Sequence, residues 1–370
     1  MLAAKLCVMS QRTNGSSVPV SRRSFLAAGG AAAITTAGCL GSSGSSSVLR
    51  VSTWSGTNET IFKNVVKPRY EEATGNTLEV VGNWQGILSK IRQSPADDPP
   101  FDVTVGVSRT HYRGRQNDLW TPVRYENLTH SDQLKSRLRG FPAAEQAVPV
   151  AYGVHCYVYD EDAIEWTPES WADIRSEAAT GVALPSDYWL KLLMMAALIS
   201  DDQPLAEEVY DQSTEDRLFD IVDDVPVETF YSGSQGLWTA LSQGLATVGH
   251  NFFAYGTAKD RSTETLNLGI TVPERTTGYV DYYQIVRGTD DREAAEEFLD
   301  FLIKPETQTA YAQEFNLGMA NTEAEYPELT RENVPTTNED LQTVAFQNFA
   351  RVADYAPEWE QRFRELVQNS

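Results

Sequence analysis

Apolar and polar positions alternate in short blocks from Val48 onward, and the blocks switch between period-two alternation and helical spacing. The period-two and continuous apolar runs predict strands at 49–54, 78–82, 101–107, 150–159, 182–184, 227–231, 246–253, 266–272 and 279–286. The helical spacing predicts helices at 60–73, 85–93, 167–176, 188–200, 205–222, 234–245, 292–303 and 305–315, and a last helical stretch over 344–367 broken at Pro357. Strands that alternate with helices of this length predict βαβ units and a covered, parallel sheet.

The pattern breaks near residues 141–149, and the same alternation of strands and helices resumes afterwards. The chain has 370 residues, and chains beyond ~250–300 residues usually divide their core. We therefore expect an α/β fold of two lobes, with the chain crossing between them more than once.

The segment before the folded part, SRRSFLAAGGAAAITTAGC over residues 21–39, has the parts of an export signal. Its apolar run, Phe25 to Gly38, is shorter than the ~20 residues of a membrane span. A basic region, a short apolar run and a small-residue exit are typical of a signal peptide, and the pair Arg22 and Arg23 indicates the twin-arginine type. We interpret residues 1–38 as a twin-arginine signal with a lipobox, Cys39 as its lipidation site, and residues 39–47 as a Gly/Ser tether.

The charge of the chain is strongly negative, with 52 acidic against 30 basic residues and a formal net charge of −22. A general nucleic-acid binder needs a basic footprint, so nucleic acid is excluded as a partner. The acids are spread along the chain and lysine is scarce. This pattern favours the solvated surface of a halophilic protein over an acidic funnel for cations. In strong salt, long-range attraction of cations would in any case be screened.

Local motifs of catalysis and metal binding are missing from the sequence. We find no G-x-S-x-G elbow, no H-E-x-x-H pair, no P-loop and no pair of cysteines at zinc spacing. Cys156 lies in a strand-like run, where a buried, inert thiol is expected. We predict no cofactor and no enzyme activity. A secreted hydrolase stays open as an alternative because a triad can assemble across a fold, and so does a structural surface protein without a ligand.

Aromatic and acidic residues gather where predicted strands end. Trp54 ends the first strand, Asp187 follows the strand at 182–184, His250 lies at the end of another, and Tyr279 and Asp281 follow Gly278. Ligands of open α/β sheets bind beyond the carboxyl ends of strands. Each residue taken alone has a simpler interpretation. The rings could pack in the core, Asp187 could be a helix N-cap, and Asp281 could be a surface carboxylate. Together the residues indicate a cleft that suits an organic cation.

Three stretches carry a family resemblance: VPVAYGVHCYVYDEDAIEWTPESW at 148–171, AAEEFLDFLIKP at 294–305, and the tail from Phe346. The chain resembles the substrate-binding proteins of ABC importers, and within them the spermidine/putrescine-binding branch. The resemblance implies a two-lobed, periplasmic-binding-protein-like fold of type II with a hinge and an interlobe ligand cleft. It implies that residues 48–149 and 274–322 form lobe 1 and residues 150–273 and 323–370 form lobe 2, with crossings near Pro149 and Pro273.

The resemblance also implies a ligand site. Trp54 falls on a stacking tryptophan, Asp187 and Asp281 on carboxylates that bind amines, and Tyr279 on a ring position. Gln347 falls on a polar contact of the C-terminal segment.

Two positions depart from the branch, since His250 replaces a stacking tryptophan and Leu190 replaces a second amine-binding glutamate. The expected ligand is a polyamine such as spermidine or putrescine, with thiamine or a ferric ion as the alternatives.

The implied partners are an ABC permease with its ATPase, and a membrane reached through the lipid anchor. The resemblance places the protein outside the cytoplasm, as a monomer held on the outer face of the cytoplasmic membrane.

Overall fold

The protein is organised around a 12-stranded mixed sheet in this computed structural model, which describes residues 48–139, 146–200, 205–262 and 265–370. The strands are β1 (Val48–Trp54), β2 (Thr77–Asn83), β3 (Val103–Gly106), β4 (Trp120–Thr121), β5 (Val148–Asp160), β6 (Val182–Pro185), β7 (Val227–Tyr231), β8 (Val248–Phe252), β9 (Leu268–Thr271), β10 (Thr276–Val286), β11 (Gly318–Met319) and β12 (Val344–Phe346). Their main order is β2-β1-β3-β10-β5-β8-β6-β7, with β9 and β11 on β5 and with β4 and β12 on β10.

Helices connect most of the strands. They are α1 (Thr57–Ile61), α2 (Lys67–Thr74), α3 (Ile87–Gln93), α4 (Ser108–Arg115), α5 (Ser136–Arg139), α6 (Trp189–Ser200), α7 (Glu215–Asp223), α8 (Gly233–Ser242), α9 (Phe253–Asp260), α10 (Arg292–Leu302), α11 (Pro305–Glu314), α12 (Glu328–Asn333), α13 (Phe349–Val352) and α14 (Ala356–Asn369). A π-helical turn, Phe62–Val66, joins α1 to α2.

Two long antiparallel strands, β5 and β10, link a parallel group on each side. The first half of β5 pairs with β10, and its second half pairs with β8 and β9. Beside β10 lies the parallel set β2-β1-β3, and beside β8 lies the parallel set β6 and β7. The βαβ prediction is therefore right for the two outer groups, whereas the linking strands are antiparallel.

The apolar core falls into two large clusters. One is built on β1, β3, the first half of β5, β10 and α10, and includes Val51, Val105 and Phe298. The other is built on α6, α7 and α14, where Trp359 meets Trp189 edge-to-face at 6.4 Å. The lobe boundaries proposed from the sequence stay a prediction.

Helices α5, α9 and α12 have no counterpart in the sequence prediction. Three predicted segments take a different form. Residues 167–176 form only a 3₁₀ turn, Trp171–Arg175, which begins with a capping box between Ser170 and Asp173. Residues 205–222 divide into two 3₁₀ turns and α7, and residues 344–367 begin with the strand β12. Pro357 lies in the first turn of α14, where its missing N–H has no helical partner to lose, so it starts that helix instead of breaking one.

Helix α4 has no counterpart in the prediction. Its sequence, SRTHYRGR, carries no apolar stripe from which helical spacing could be inferred. This omission matters for the site below, because two of its arginines face the ligand cavity.

Several predictions concern the N-terminal segment. The export signal at 1–38, Arg22 and Arg23, the lipidation site Cys39 and the tether at 39–47 lie outside the described residues. Among the helices of the described ranges, none is long and apolar enough to span a membrane. Cys156 is a free, fully buried thiol whose pKa is raised by burial, as predicted for an inert cysteine.

Candidate ligand-binding site

A cavity of about 870 Å³ lies at the carboxyl ends of β1, β2, β3, β6 and β8. Five of the six predicted ligand residues line it together: Trp54, Asp187, Tyr279, Asp281 and Gln347. They come from β1, the β6–α6 junction, β10 and the segment after β12. Trp54 and Asp187 follow strand ends as the strand-end argument predicted, whereas Tyr279 and Asp281 lie within β10. Gln347 was expected only from the family resemblance.

His250 is not among the cavity-lining residues. It is fully buried on β8, stacked on Trp171 at 5.0 Å and packed on His155 at 5.0 Å. Burial lowers the pKa of His250 well below its usual value, so the ring is neutral. Phe252, two residues further along the same strand, is the ring of β8 that lines the cavity.

Asp281 is a buried carboxylate at an irregularity of β10. The pairing of β10 with β5 shifts between Asp281 and Tyr282, where Pro149 is the partner on β5, and such bulges commonly re-aim a side chain beside a site. Its Oδ1 accepts a hydrogen bond from Trp54 Nε1 at 2.9 Å. Burial raises the pKa of Asp281 to about 7. A cation next to this carboxylate would favour its charged form.

Asp187 is the second carboxylate of the cavity and is exposed to it. Its Oδ2 accepts hydrogen bonds from Ser232 Oγ at 3.1 Å and from the backbone N–H of Gly233 at 3.3 Å. These donors belong to the junction between β7 and α8. The side chain of Asp187 is therefore oriented by that junction and not by the helix α6 that follows it.

Lys191 supplies a buried cation to the same wall. Its side chain is 1% exposed and lines the cavity. Nζ lies 4.3 Å from the ring centre of Tyr188 and 4.2 Å from that of Phe252. Burial lowers the pKa of Lys191 to about 7, and Asp187 acts in the opposite direction. The two rings stabilise the ammonium but accept no conventional hydrogen bond from it.

Lys135 shows what a satisfied buried lysine looks like in this chain. It is also 1% exposed, and its Nζ donates to Met319 O at 2.6 Å, to Asn321 O at 2.9 Å and to Tyr326 Oη at 3.2 Å. No such acceptor binds Lys191 within the part of the chain that the structure describes. A buried ammonium without oxygen partners is unfavourable, and in this respect Lys191 differs from Lys135.

A belt of aromatic rings surrounds the charged groups, each ring meeting the next edge-to-face. Trp54 and Trp84 are 5.7 Å apart, Trp84 and Tyr255 6.2 Å, Tyr255 and Phe252 5.9 Å, and Phe252 and Tyr279 5.2 Å. Trp84 is 38% exposed, which is unusual for a large ring. Aromatic faces of this kind attract an ammonium group with ~0.5–2 kcal/mol.

Sequence reasoning missed Lys191, Trp84 and the arginines Arg92, Arg109 and Arg113, which all line the cavity. Lys191 had a signal, since it is the only charged residue of the apolar helix α6 and a lone lysine in a buried helix is rare without a partner. Trp84 directly follows β2, so the strand-end argument used for Trp54 also covers it.

Comparison with known proteins agrees with this architecture. A family model described as "Bacterial extracellular solute-binding protein" matches residues 67–336. Over 315 residues the chain is 24% identical to the gamma-aminobutyric acid-binding protein of Pseudomonas aeruginosa, covering 79% of this chain and 83% of that protein.

Solved structures show the fold. An ABC transporter substrate-binding protein from Bradyrhizobium japonicum matches with a TM-score of 0.75 at 14% identity, over 87% of this chain and 99% of that one. The spermidine/putrescine ABC transporter substrate-binding protein PotD from Streptococcus pneumoniae matches with a TM-score of 0.70 at 16% identity, over 87% and 100%. These likenesses confirm the predicted two-lobed, periplasmic-binding-protein-like α/β fold.

Proposed function

Because the chain belongs to the family of bacterial extracellular solute-binding proteins, we propose that its cavity captures a small solute carrying both an ammonium group and a carboxylate. The protein is the substrate-binding component of an ABC transporter and acts outside the cytoplasm. Its family and relatives are binding proteins of transporters, not enzymes, which excludes the secreted hydrolase.

The observation that carries this proposal is that one cavity is lined by two buried ionisable groups of opposite type, a carboxyl group and an amine. Within the described ranges, only one oxygen of Asp281 accepts a hydrogen bond, from Trp54 Nε1, and Lys191 has no oxygen acceptor. An ammonium group would pair with Asp281 and a carboxylate with Lys191, in a site whose effective dielectric is below that of water. An ω-amino acid carries these two groups, and the relative from Pseudomonas aeruginosa is named for one.

A polyamine, the ligand expected from the sequence, fits the cavity less well. Asp187 and Asp281 would hold its ammonium groups, but the same cavity is lined by Lys191 and three arginines. A second ammonium group would therefore share the cavity with four basic side chains, which opposes binding. The similarity to PotD shows a shared fold and says nothing about which charges line this cavity.

The other two ligand hypotheses also lose support. Thiamine is a cation without a carboxylate, so it offers Lys191 no anionic partner. A ferric ion needs a cluster of hard ligands, and no group of three or more His, Cys, Asp or Glu residues suited to a metal occurs in the described ranges.

A thermal-shift panel at pH 7 and fixed ionic strength tests the proposed ligand class. We expect γ-aminobutyric acid, β-alanine or 5-aminovalerate to raise the melting temperature, since a ligand at 100 times its Kd stabilises the folded state by about 2.7 kcal/mol. Butyrate and butylamine, which each carry only one of the two groups, are the matched controls and should have no effect. A shift with putrescine, spermidine or thiamine, and none with the ω-amino acids, would contradict the proposal.

We further propose that capture proceeds by closure of lobe 1 (48–149 with 274–322) on lobe 2 (150–273 with 323–370). The support is that Asp281 lies on β10, beside the irregular pairing with β5, where the linking strands would flex. Hinge closure is typical of two-lobed binding proteins. The closed form would deliver its ligand to a permease driven by an ATPase.

Export through Arg22 and Arg23, anchoring through Cys39 and action as a monomer complete this proposal. The sequence of residues 21–39 supports the export and the anchoring. The spread of acidic residues likewise supports adaptation to concentrated salt.

Substitution of Gly153 by alanine is expected to weaken binding at least ~10-fold by disturbing one ring of the site. Gly153 pairs with Tyr279 across β5 and β10, and a Cβ at Gly153 would lie only 2.4–2.5 Å from that ring. The ring must move, and the cavity lies beside it. Titration calorimetry with whichever panel ligand stabilises the wild type measures the loss. Gly236→Ala on α8, where the nearest atom is 3.1 Å away, is the control; equal affinities for both variants would count against a role for Tyr279.

A further inference from the structure

A cluster of arginines lines part of the same cavity and is not used by the ligand groups assigned so far. Arg92 comes from α3, and Arg109 and Arg113 come from α4. Asn117, just after α4, lines the cavity beside them. We call Arg92, Arg109 and Arg113 the arginine wall.

The arginine wall is unexpected in a chain of this composition. Acidic residues outnumber basic ones by 52 to 30 in the whole sequence, yet the cavity contains three arginines and one lysine against two aspartates. Arg109 and Arg113 are four residues apart on one helix, a spacing at which like charges repel. Burial and the neighbouring Arg109 both lower the pKa of Arg113. An anion between them would relieve this repulsion.

The protein itself satisfies only part of the arginine wall. Arg109 Nη2 binds Glu360 Oε2 at 2.8 Å. Arg109 and Arg113 both lie 5.5 Å from the ring centre of Phe349. Within the described ranges Arg113 forms no ion pair, and Arg92 has only a 3.5 Å contact to Ser89 Oγ. A guanidinium group has five N–H donors in a fork that matches a carboxylate, so the donors of Arg92 and Arg113 remain available.

We propose that the arginine wall is a second anion subsite, and that the solute is an amino dicarboxylate whose additional carboxylate binds Arg113 and Arg92. This inference rests on the proposed function, in which Asp281 holds the ammonium group and Lys191 the first carboxylate. Paired hydrogen bonds from a guanidinium fork to a carboxylate are among the stronger contacts available to a ligand. At about 870 Å³, the cavity is in the upper part of the range of ~300–1,000 Å³ found for ligand pockets, and a four-carbon amino acid does not fill it.

A series of matched ligand pairs isolates the second carboxylate. Glutamate and γ-aminobutyric acid differ only by that group, as do aspartate and β-alanine, and 2-aminoadipate and 5-aminovalerate. Titration calorimetry of the full protein at one pH and ionic strength gives the affinity ratio for each pair. We expect the dicarboxylate to bind at least ~10-fold more tightly in at least one pair, the gain expected of a bidentate guanidinium contact.

The variants Arg113→Gln and Arg115→Gln then locate the effect. Arg115 lies on the same helix, stacks on Tyr112 at 5.8 Å and is not among the cavity-lining residues, so it is the matched control. In Arg113→Gln the ratio should fall to within about threefold of one, because the loss of affinity falls mainly on the dicarboxylate. In Arg115→Gln the ratio should stay as in the wild type.

Three results would overturn the inference. A wild type that prefers the monocarboxylate in every pair would refute the second subsite and leave the proposed function intact. An equal loss for both members of a pair in Arg113→Gln would mean that Arg113 acts on the protein, for example by contact between the lobes, and not on the second carboxylate. Failure of all six compounds to bind would remove the proposed function together with this inference.

Discussion

Replacement of Asp281 by asparagine is expected to weaken binding of the solute at least ~100-fold and to stabilise the empty protein at neutral pH. Asparagine keeps the acceptor that binds Trp54 Nε1, and it removes the negative charge that an ammonium group would need. The buried charge is also the unfavourable element of the empty site, so its loss relieves the fold.

The direction in which burial shifts the pKa of Asp281 determines how the stability of the wild type depends on pH. The pKa of Asp281 is about 7 in the folded protein against 3.8 for the free group. Between these values the folded state holds a proton that the unfolded state has lost, so the wild type loses stability as the pH rises through this window. A shift of this size corresponds to roughly 4 kcal/mol at most. Asparagine does not titrate, so Asp281→Asn should not lose this stability as the pH rises.

Thermal unfolding of the empty proteins at pH 5 and pH 8 measures this difference. The melting temperature of Asp281→Asn should exceed that of the wild type most clearly at pH 8. Asp220→Asn, at an exposed carboxylate of α7, is the control and should follow the wild type. If Asp281→Asn bound the solute as the wild type does, Asp281 would not be the ammonium-binding group.

Replacement of Lys191 by methionine is expected to weaken binding of the carboxylate-bearing solute at least ~100-fold, because a charge-assisted hydrogen bond is lost from a buried site. Methionine has a similar length and is apolar, so it fits between the rings of Tyr188 and Phe252. With one cation fewer in the cavity, putrescine should bind more tightly than it binds the wild type. A change of preference between the two ligand classes is the signature of a residue that determines specificity.

The stability of the Lys191 variant has its own pH signature. The folded pKa of about 7 lies below the free value of 10.5, so between these values the unfolded state holds more protons and wild-type stability increases with pH. His155 and His250 lie near Lys191, and burial lowers both pKa values, so neither ring titrates in this window. The negative charge of Asp187 favours the charged form of Lys191, but the pKa of Lys191 stays below its usual value. Lys191→Met should show a flatter profile between pH 7 and pH 10.

Lys135→Met is the matched control, since Lys135 is buried to the same extent and its pKa is likewise lowered to about 7. This substitution removes the hydrogen bonds that Lys135 donates to the carbonyl groups of Met319 and Asn321, so it should lower the melting temperature while leaving solute affinity unchanged. Calorimetry and thermal unfolding on both lysine variants separate the two roles. An unchanged ligand preference in Lys191→Met would show that Lys191 only supports the fold.

The sequence by itself determined the order of elements and the position of the site. Periodicity is a local property, so it located most strands and helices, including β7, whose bounds 227–231 agree with the prediction. The rule that ligands bind beyond strand ends needs only strand assignments. It identified Trp54 at the end of β1 and Asp187 after β6, whereas Tyr279 and Asp281, predicted with them, lie within β10 and line the same cavity.

Only the tertiary structure decided which charges meet in that cavity. Helix α4 has no apolar stripe, so the pattern gave no sign that Arg109 and Arg113 face a ligand. Whether a buried side chain has a partner depends on residues far away in sequence, as the contrast between Lys135, with Met319 and Asn321 as partners, and Lys191 shows. Because ligand choice depends on the sum of such long-range contacts, the sequence predicted a polyamine, whereas the assembled charges favour a solute that also carries carboxylates.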